Sequence, residues 1–167
     1  MIVPTASEVL ATIETTLVNV VVPDARSTSA LSALATTGHL LRHVQLRLEL
    51  EGQILTDDIA ALRPLLADTS TWLSAQGNYV ASVPTALGTT WRESGAYPTL
   101  ASLASEAGAM RHSLTDVLER LIELRDAHRD DQAYLALRTR IRTYLAGQIQ
   151  SEAAIIDPAF AGKGARR

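Results

Sequence analysis

The amino-acid sequence predicts an all-α protein, an antiparallel bundle of four to five helices with a long loop between helices three and four. Apolar residues recur at intervals of three and four over most of the 167-residue chain, which is the spacing of an amphipathic helix. Aromatic residues make up only 4% of the chain, so aliphatic side chains must fill the core. A core with few aromatic residues suits helices better than sheets.

The first helix is predicted to begin at residues 5–8, whose Thr-Ala-Ser-Glu sequence is a capping box directly after Pro4. Pro23 and Asp24 end this helix. The short connection that follows makes the first two helices antiparallel neighbours. The predicted inward positions are Val9, Leu10, Ile13, Leu17, Val20 and Val21.

The second helix is predicted over residues 26–51 and ends at Gly52. Residues 44–51 alternate between apolar and polar side chains, which is also the period of a β-strand. Good helix formers in this stretch, and the absence of a turn residue before it, favour the helix. The predicted buried positions are Leu31, Leu34, Leu41, Val44 and Leu48.

A third helix is predicted to begin at residues 56–58, where two aspartates lie at the positive end of the helix dipole. Pro64 should kink this helix or divide it in two. Over residues 77–98, glycine, proline and asparagine interrupt the helical pattern and predict a long loop that carries Trp91 and Tyr97. Such a loop is either a functional element or a disordered one.

The fourth helix carries the clearest pattern in the chain, a heptad seam of the kind that packs in bundles or pairs with a second copy. Charged residues 125–131 break the pattern, and a fifth helix follows, which Pro158 ends. Residues 1–160 are therefore predicted to form a single helical domain, and residues 161–167 a disordered basic tail. The seam consists of Leu100, Leu103, Ala107, Met110, Leu114, Val117, Leu121 and Leu124.

Composition excludes several classes of protein. The chain has no cysteine, so disulfides, thiolate nucleophiles and zinc knuckles are absent. A net charge of -3 gives no general attraction to nucleic acid. The chain starts without a basic segment of the signal-peptide type, and no apolar run approaches the length of a membrane span, which together predict a cytoplasmic protein. No phosphate-binding loop, nucleophile elbow or kinase signature is present, and no cofactor is predicted.

His39 and His43 lie one helical turn apart, so both imidazoles could reach one metal ion. No acidic residue completes a ligand set nearby, which favours two partly exposed histidines on a helix flank. The alternative is a small-molecule or metal site near these histidines, with Trp91 and Tyr97 on a loop that acts as a lid.

Arg138 and Arg142 share one helix face, whereas Arg140 points elsewhere. The pair could hold a phosphate or an acidic partner, or could form ordinary surface ion pairs. A further polar stripe on the fourth helix could serve as an acid–base array, but it lies opposite the seam and should face solvent. That stripe consists of His112, Asp116, Glu119 and Glu123.

Three segments carry a resemblance to a known family: Pro-Thr-Ala-Ser-Glu-Val-Leu at residues 4–10, Val-Val-Val-Pro at 20–23, and Leu-Arg-Leu-Glu-Leu-Glu at 46–51. Over its N-terminal half the chain resembles the small helical accessory proteins found with aminoglycoside-phosphotransferase-like hydroxyacyl-CoA kinases and acyl-CoA dehydrogenases, of the levulinate-pathway type. The resemblance implies a kinase-like protein partner. It implies no catalytic residue, and the loop at 77–98 makes this chain longer than that family.

The sequence therefore predicts a non-catalytic interaction module that docks a larger enzyme or a second copy of itself. Binding of a small molecule or metal near His39 and His43 is the alternative function. Transcriptional regulation is a weaker third possibility, because no helix-turn-helix is recognisable and the chain is acidic.

Overall fold

The computed structural model describes residues 3–77 and 97–160, and every regular element in these two ranges is a helix. The all-α prediction is thus confirmed for the described part of the chain. Residues 44–51 are helical, so the strand alternative is excluded. The helices are α1 at Ala6–Asp24, α2 at Thr28–Ala75, α3 at Leu100–Glu123 and α4 at Gln132–Phe160.

The predicted capping box begins α1. The backbone N–H of Glu8 donates to Thr5 Oγ1 at 3.3 Å, and the backbone N–H of Thr5 donates to the Glu8 carboxylate at 2.6 Å. The Glu8 carboxylate also accepts from the Thr5 hydroxyl at 2.9 Å, and the two hydrogen bonds that it accepts from Thr5, the backbone one first, lower the pKa of Glu8. An α-helix at Ala6–Thr16 continues through a π-helical turn at Leu17–Val21 and ends at Asp24, as the sequence predicts.

The predicted second and third helices form one helix. α2 continues through Gly52, and residues 56–58, which were expected to begin a new helix, lie in its interior. A glycine inside a helix costs only about 1 kcal/mol, and good helix formers flank this one. A β-carbon at Gly52 would lie 3.5 Å from Leu100, so this position also packs against α3. The expected break at Gly52 is therefore wrong.

Two prolines lie inside helices rather than at their ends. Pro64 lies within α2 and does not divide it, and Pro158 lies within α4 and does not end it. An interior proline costs about 3 kcal/mol or more. Burial of Leu62 and Leu65 beside Pro64 offsets this cost, since each contributes about 1.5–3 kcal/mol. Pro158 is in the last turn, where few helical hydrogen bonds remain to be lost.

The chain divides into two compact units. The first unit comprises Met1–Glu51 and Ser151–Arg167, and the second comprises Gly52–Gln150. The division therefore falls within α2, at the position where the sequence suggested a helix end, and again within α4.

The second unit contains the hydrophobic core. Leucines of α2, the heptad seam of α3 and one face of α4 are buried together. The seam is buried from Leu103 to Leu121, whereas Leu100 at its start is exposed. Because this seam is covered within the chain, it is not available to pair with a second copy. The largest fully buried side chains are Tyr134, Leu62, Leu66, Leu73, Met110, Ile141, Val117 and Thr69.

The first unit has almost no core. Among its described residues, 3–51 and 151–159, only Gly38 and Ala159 are buried. The predicted inward positions of the first two helices are half-buried or exposed, so those burial predictions are wrong. Helical spacing shows that a face is apolar, but it does not show that the same chain covers it. The exposed members are Val9, Ile13, Val20, Val21, Leu31, Val44 and Leu48.

Candidate functional site

An apolar stripe follows one face of α1. Val9, Ile13 and Val20 lie four and seven residues apart, which places them on the same side of a helix. Each side chain remains between 43% and 60% exposed. α1 contains no buried residue. The stripe is therefore an apolar surface that residues 3–77 and 97–160 leave uncovered.

A second apolar stripe lies on the N-terminal part of α2. Leu40, Val44 and Leu48 are spaced four residues apart and are between 44% and 55% exposed. Side chains at this spacing are stacked along one helix face. Scattered exposed leucines are ordinary, whereas a continuous apolar row marks an interaction surface.

Two ion pairs lie beside these stripes. Arg42 Nε donates to Glu14 Oε1 at 2.8 Å and joins α2 to α1. Arg47 donates to Glu51 one turn along α2, at 2.9 Å from Nε to Oε2. This hydrogen bond is the main cause that lowers the pKa of Glu51. Two charge pairs thus lie beside the apolar residues of the stripes.

The histidines of the alternative site lie in the first unit, and both are half-buried. His39 Nδ1 lies 3.1 Å from the carbonyl oxygen of Ala159 near the end of α4. Because a carbonyl oxygen only accepts, this contact places a proton on Nδ1. No group of three or more metal-ligating side chains occurs among residues 3–77 and 97–160. The third ligand that a metal site needs is thus absent from those ranges.

The predicted aromatic lid falls largely outside the described residues. Trp91 lies outside them, so the structure does not test its role. Tyr97 is described and is 96% exposed. Gly77, where the predicted loop begins, has a φ of +74°, a left-handed conformation that glycine adopts without strain.

The arginines of α4 behave differently from one another. Arg138 lies over the ring of Tyr134, with its guanidinium carbon 5.7 Å from the ring centroid. Arg140 forms a 2.7 Å ion pair with Asp68 of α2. Arg142 is exposed, and no ion pair within the described residues includes it. Ordinary surface ion pairing therefore explains Arg140. Arg138 and Arg142 share one helix face, and no ion pair within the described residues includes either of them.

Sequence reasoning missed a buried polar cluster in the second unit. Asp58 is buried and accepts hydrogen bonds from Arg111 Nε at 2.9 Å and from the Tyr144 hydroxyl at 2.6 Å. With its amide oxygen facing Arg111, Gln148 accepts from Nε at 3.0 Å. Burial first, and then Asp58, raise the pKa of Tyr144 well above its usual value. The carboxylate joins α2, α3 and α4.

A second buried carboxylate repeats this arrangement on a smaller scale. Glu106 of α3 is buried and accepts a 2.7 Å hydrogen bond from Arg63 of α2. Both carboxylates lie at core positions of their helices, since Asp58 follows Leu55 by three residues and Glu106 follows Leu103 by three. A charged residue on an apolar stripe is the signal that could have found them. Each carboxylate is paired, which fits a role in fixing helix register rather than acid–base chemistry.

The acidic stripe of α3 is exposed, as predicted. His112, Asp116, Glu119 and Glu123 all face solvent, and Glu123 pairs with Arg120 at 2.7 Å. A general acid or base needs a cleft that shifts its pKa and holds a substrate. This stripe lies on an open helix face and does not provide one.

No protein family, curated protein or solved structure matches this chain. The two apolar stripes of the first unit therefore stand as the candidate functional surface on their geometry alone.

Proposed function

We propose that this protein is a non-catalytic helical interaction module, and that the apolar stripes of α1 and α2 dock a larger protein. The observation that supports the proposal is the contrast in burial between the two units. Among the described residues, the second unit buries 15 hydrophobic side chains, from Leu55 to Ile141, whereas the first unit buries one hydrophobic side chain, that of Ala159. Helices without a covered face are marginal in water, so a partner would complete the missing core.

Covering the two stripes would supply part of the free energy that a stable complex needs. Fully burying a valine, leucine or isoleucine contributes about 1.5–3 kcal/mol. The six stripe residues are about half exposed, so covering them would contribute roughly 4–9 kcal/mol before the cost of association. Association itself costs about 4–15 kcal/mol. Micromolar binding, a net gain of about 8 kcal/mol, would therefore need further contacts with the partner.

A protein partner is favoured over a lipid bilayer. Ala6–Asp24 is long and apolar enough to cross a membrane by length and composition, with none of it buried, which is weak evidence by itself. Its length corrects the expectation that no such run exists. Glu14, however, lies in the middle of this stretch and pairs with Arg42. A carboxylate at mid-bilayer is costly, by about 2.5–3.5 kcal/mol on insertion scales.

Binding to the surface of an anionic membrane is also disfavoured. Helices that lie on membranes carry lysine or arginine on their polar face. α1 contains no basic residue, and its charges are Glu8, Glu14 and Asp24. Its acidic side would be repelled by anionic lipid headgroups. We therefore retain a cytoplasmic location as part of the proposal.

The partner class follows from the N-terminal resemblance. The segments that carry the resemblance lie in α1 and in α2 up to Glu51, which is where the uncovered stripes lie. We take the partner to be a phosphotransferase-like kinase that acts on hydroxyacyl-CoA, with this chain as its accessory subunit. The proposal also includes the arrangement of the helices: we propose that the four helices form an antiparallel bundle.

Co-expression tests the proposal. The chain is produced with a kinase of that class from the same genome, and the complex is examined by native mass spectrometry and calorimetric titration. Val44→Glu places a charge in the centre of the α2 stripe and is expected to weaken binding by about tenfold or more. Because Val44 is 44% exposed in the free protein, the fold of the chain should be unchanged.

Ala67→Glu is the matched control. It lies on the same helix, is exposed, and belongs to the second unit, so binding should stay within about twofold of the unmodified chain. The proposal is overturned for this kinase if no complex forms, or if Val44→Glu and Ala67→Glu bind equally well.

A further inference from the structure

A second seam of heptad spacing runs along α4, apart from the residues that enter the core. Leu135, Arg138, Arg142, Leu145 and Ile149 follow one another by three and four residues, the repeat of a helix–helix interface. We call these five residues the outer seam of α4. Ile149 is 69% exposed, and the two other apolar members are also exposed.

α3 carries a complementary row on its exposed side. Gly108, His112, Thr115, Glu119 and Ile122 follow one another by four and three residues and are all exposed. We call them the outer seam of α3. Ile122 is 67% exposed, although it belongs to a helix whose opposite face is fully buried. Both outer seams lie within the second unit.

We propose that the protein self-associates by packing the outer seam of α4 against the outer seam of α3 from a second copy, with the two helices antiparallel. One register matches the two seams over their whole length. It places Leu135 against Ile122 at one end and Ile149 against Gly108 at the other. The contact would extend for about 21 Å, the length of fourteen helical steps.

Charge complementarity supports this register. It brings Arg138 opposite Glu119, and Arg142 opposite the neighbourhood of Asp116. No ion pair among the described residues includes Arg142, Asp116 or Glu119. Two copies would therefore pair charges that form no ion pair among the described residues of a single copy. The parallel register over the same length places Arg138 beside His112 and Leu145 beside Glu119, so it lacks the pairing of Arg138 with Glu119.

Steric complementarity supports the same register. A β-carbon built at Gly108 meets no atom within 4 Å, so the surface there is open. The large side chain of Ile149 faces that open position in the antiparallel register. A glycine that costs helix stability and lies on an exposed face allows close approach of another helix.

This surface is separate from the stripes of the first unit, and the inference does not rest on the proposed function. Each copy carries both outer seams. Two copies can make the contact twice in a closed two-fold dimer, or once per pair in a longer assembly.

Sedimentation velocity of the full chain over a range of concentrations tests the proposal. The unmodified protein should associate, and either Arg142→Asp or Asp116→Arg alone should weaken association by about tenfold or more through repulsion. An equimolar mixture of R142D and D116R should recover association, because the mixed pair restores opposite charges at every contact. Arg129→Asp, an exposed arginine outside the seam, should leave association unchanged.

A second pair of variants tests the steric match without altering charge. Gly108→Leu should fold with increased helix stability but lose association, because the new side chain occupies the place of Ile149. Ala136→Leu is the matched control, since Ala136 is exposed on α4 and lies outside the seam. A monomer at all concentrations would overturn the proposal. Association that is indifferent to R142D and G108L, or that the mixture fails to recover, would also overturn it.

Discussion

The hydroxyl of Tyr144 donates a 2.6 Å hydrogen bond to Oδ1 of Asp58, 86 residues earlier in the chain. The other oxygen of this carboxylate accepts from Arg111 at 2.9 Å. One buried acid thus fixes the relative positions of three helices in the second unit. A buried pair of this kind adds specificity more reliably than stability, but removal of one partner is costly.

Asp58→Ala should lower the free energy of unfolding by about 2–4 kcal/mol, because Arg111 and Tyr144 lose their acceptor inside the protein. Urea denaturation followed by circular dichroism measures the change. Asp57→Ala is the control, since Asp57 is exposed on the adjacent position and should change stability by less than about 0.5 kcal/mol. Equal effects of the two substitutions would show that the cluster does not hold the helices.

The raised pKa of Tyr144 predicts a loss of stability in alkali. The fold favours the protonated hydroxyl, so this group contributes fully below the unfolded-state pKa of about 10 and progressively less as the pH rises above it. Urea midpoints measured from pH 8 to pH 11 should therefore fall at the alkaline end. Tyr144→Phe should be less stable at pH 8 and show a weaker alkaline decline. An unchanged slope in this variant would contradict the assignment.

Loss of a leucine should lower the free energy of unfolding more in the second unit than in the first. Leu66→Ala removes a fully buried side chain of the second unit and should cost about 2–5 kcal/mol. Leu48→Ala removes a side chain that is 46% exposed in the first unit, and should cost less than about 1 kcal/mol in the isolated protein. Thermal unfolding of both variants checks this difference. A large cost for Leu48→Ala would mean that the α2 stripe is already covered.

His39→Ala should loosen the end of α4 without changing the core. The substitution removes the hydrogen bond to Ala159, which is worth about 0.5–1.5 kcal/mol. Hydrogen exchange over residues 151–160 should become faster, whereas exchange over 103–121 should stay the same. His112→Ala, an exposed histidine of α3, is the control. Unchanged exchange at the end of α4 would show that His39 has no anchoring role.

The sequence was most informative where packing and local pattern agree. The heptad spacing of α3 predicted its buried face because the leucines, alanine and methionine of that seam leave no alternative side to bury. Gly52 and residues 56–58 led to wrong helix bounds. The free energy of local end and start signals is small compared with that of packing along a long helix. Helical spacing identified Val9, Ile13, Val20, Val44 and Leu48 as apolar positions, but it was wrong that they are buried, and it did not include Leu40.

The partners of the buried carboxylate Asp58 could not be predicted from the sequence, for a different reason. Arg111 reaches Asp58 across 53 residues of chain, and Tyr144 across 86. Helical periodicity shows that Asp58 lies on an inward face, but it cannot show which helix supplies the partner. The sequence placed Arg138 and Arg142 on one face of α4. Leu135 and Ile149 could be recognised as exposed apolar residues beside them only once the structure showed which face of α4 is buried.

Hydrogen exchange with and without the co-expressed kinase tests the central claim most directly. In the isolated chain, amides of residues 6–51 should exchange much faster than those of the core at 55–73, 103–121 and 134–141, because the first unit lacks a covered face. In the complex, protection should increase chiefly over residues 6–51. The account would be contradicted if residues 6–51 were as protected as the core in the isolated chain, or if the kinase protected the second unit instead.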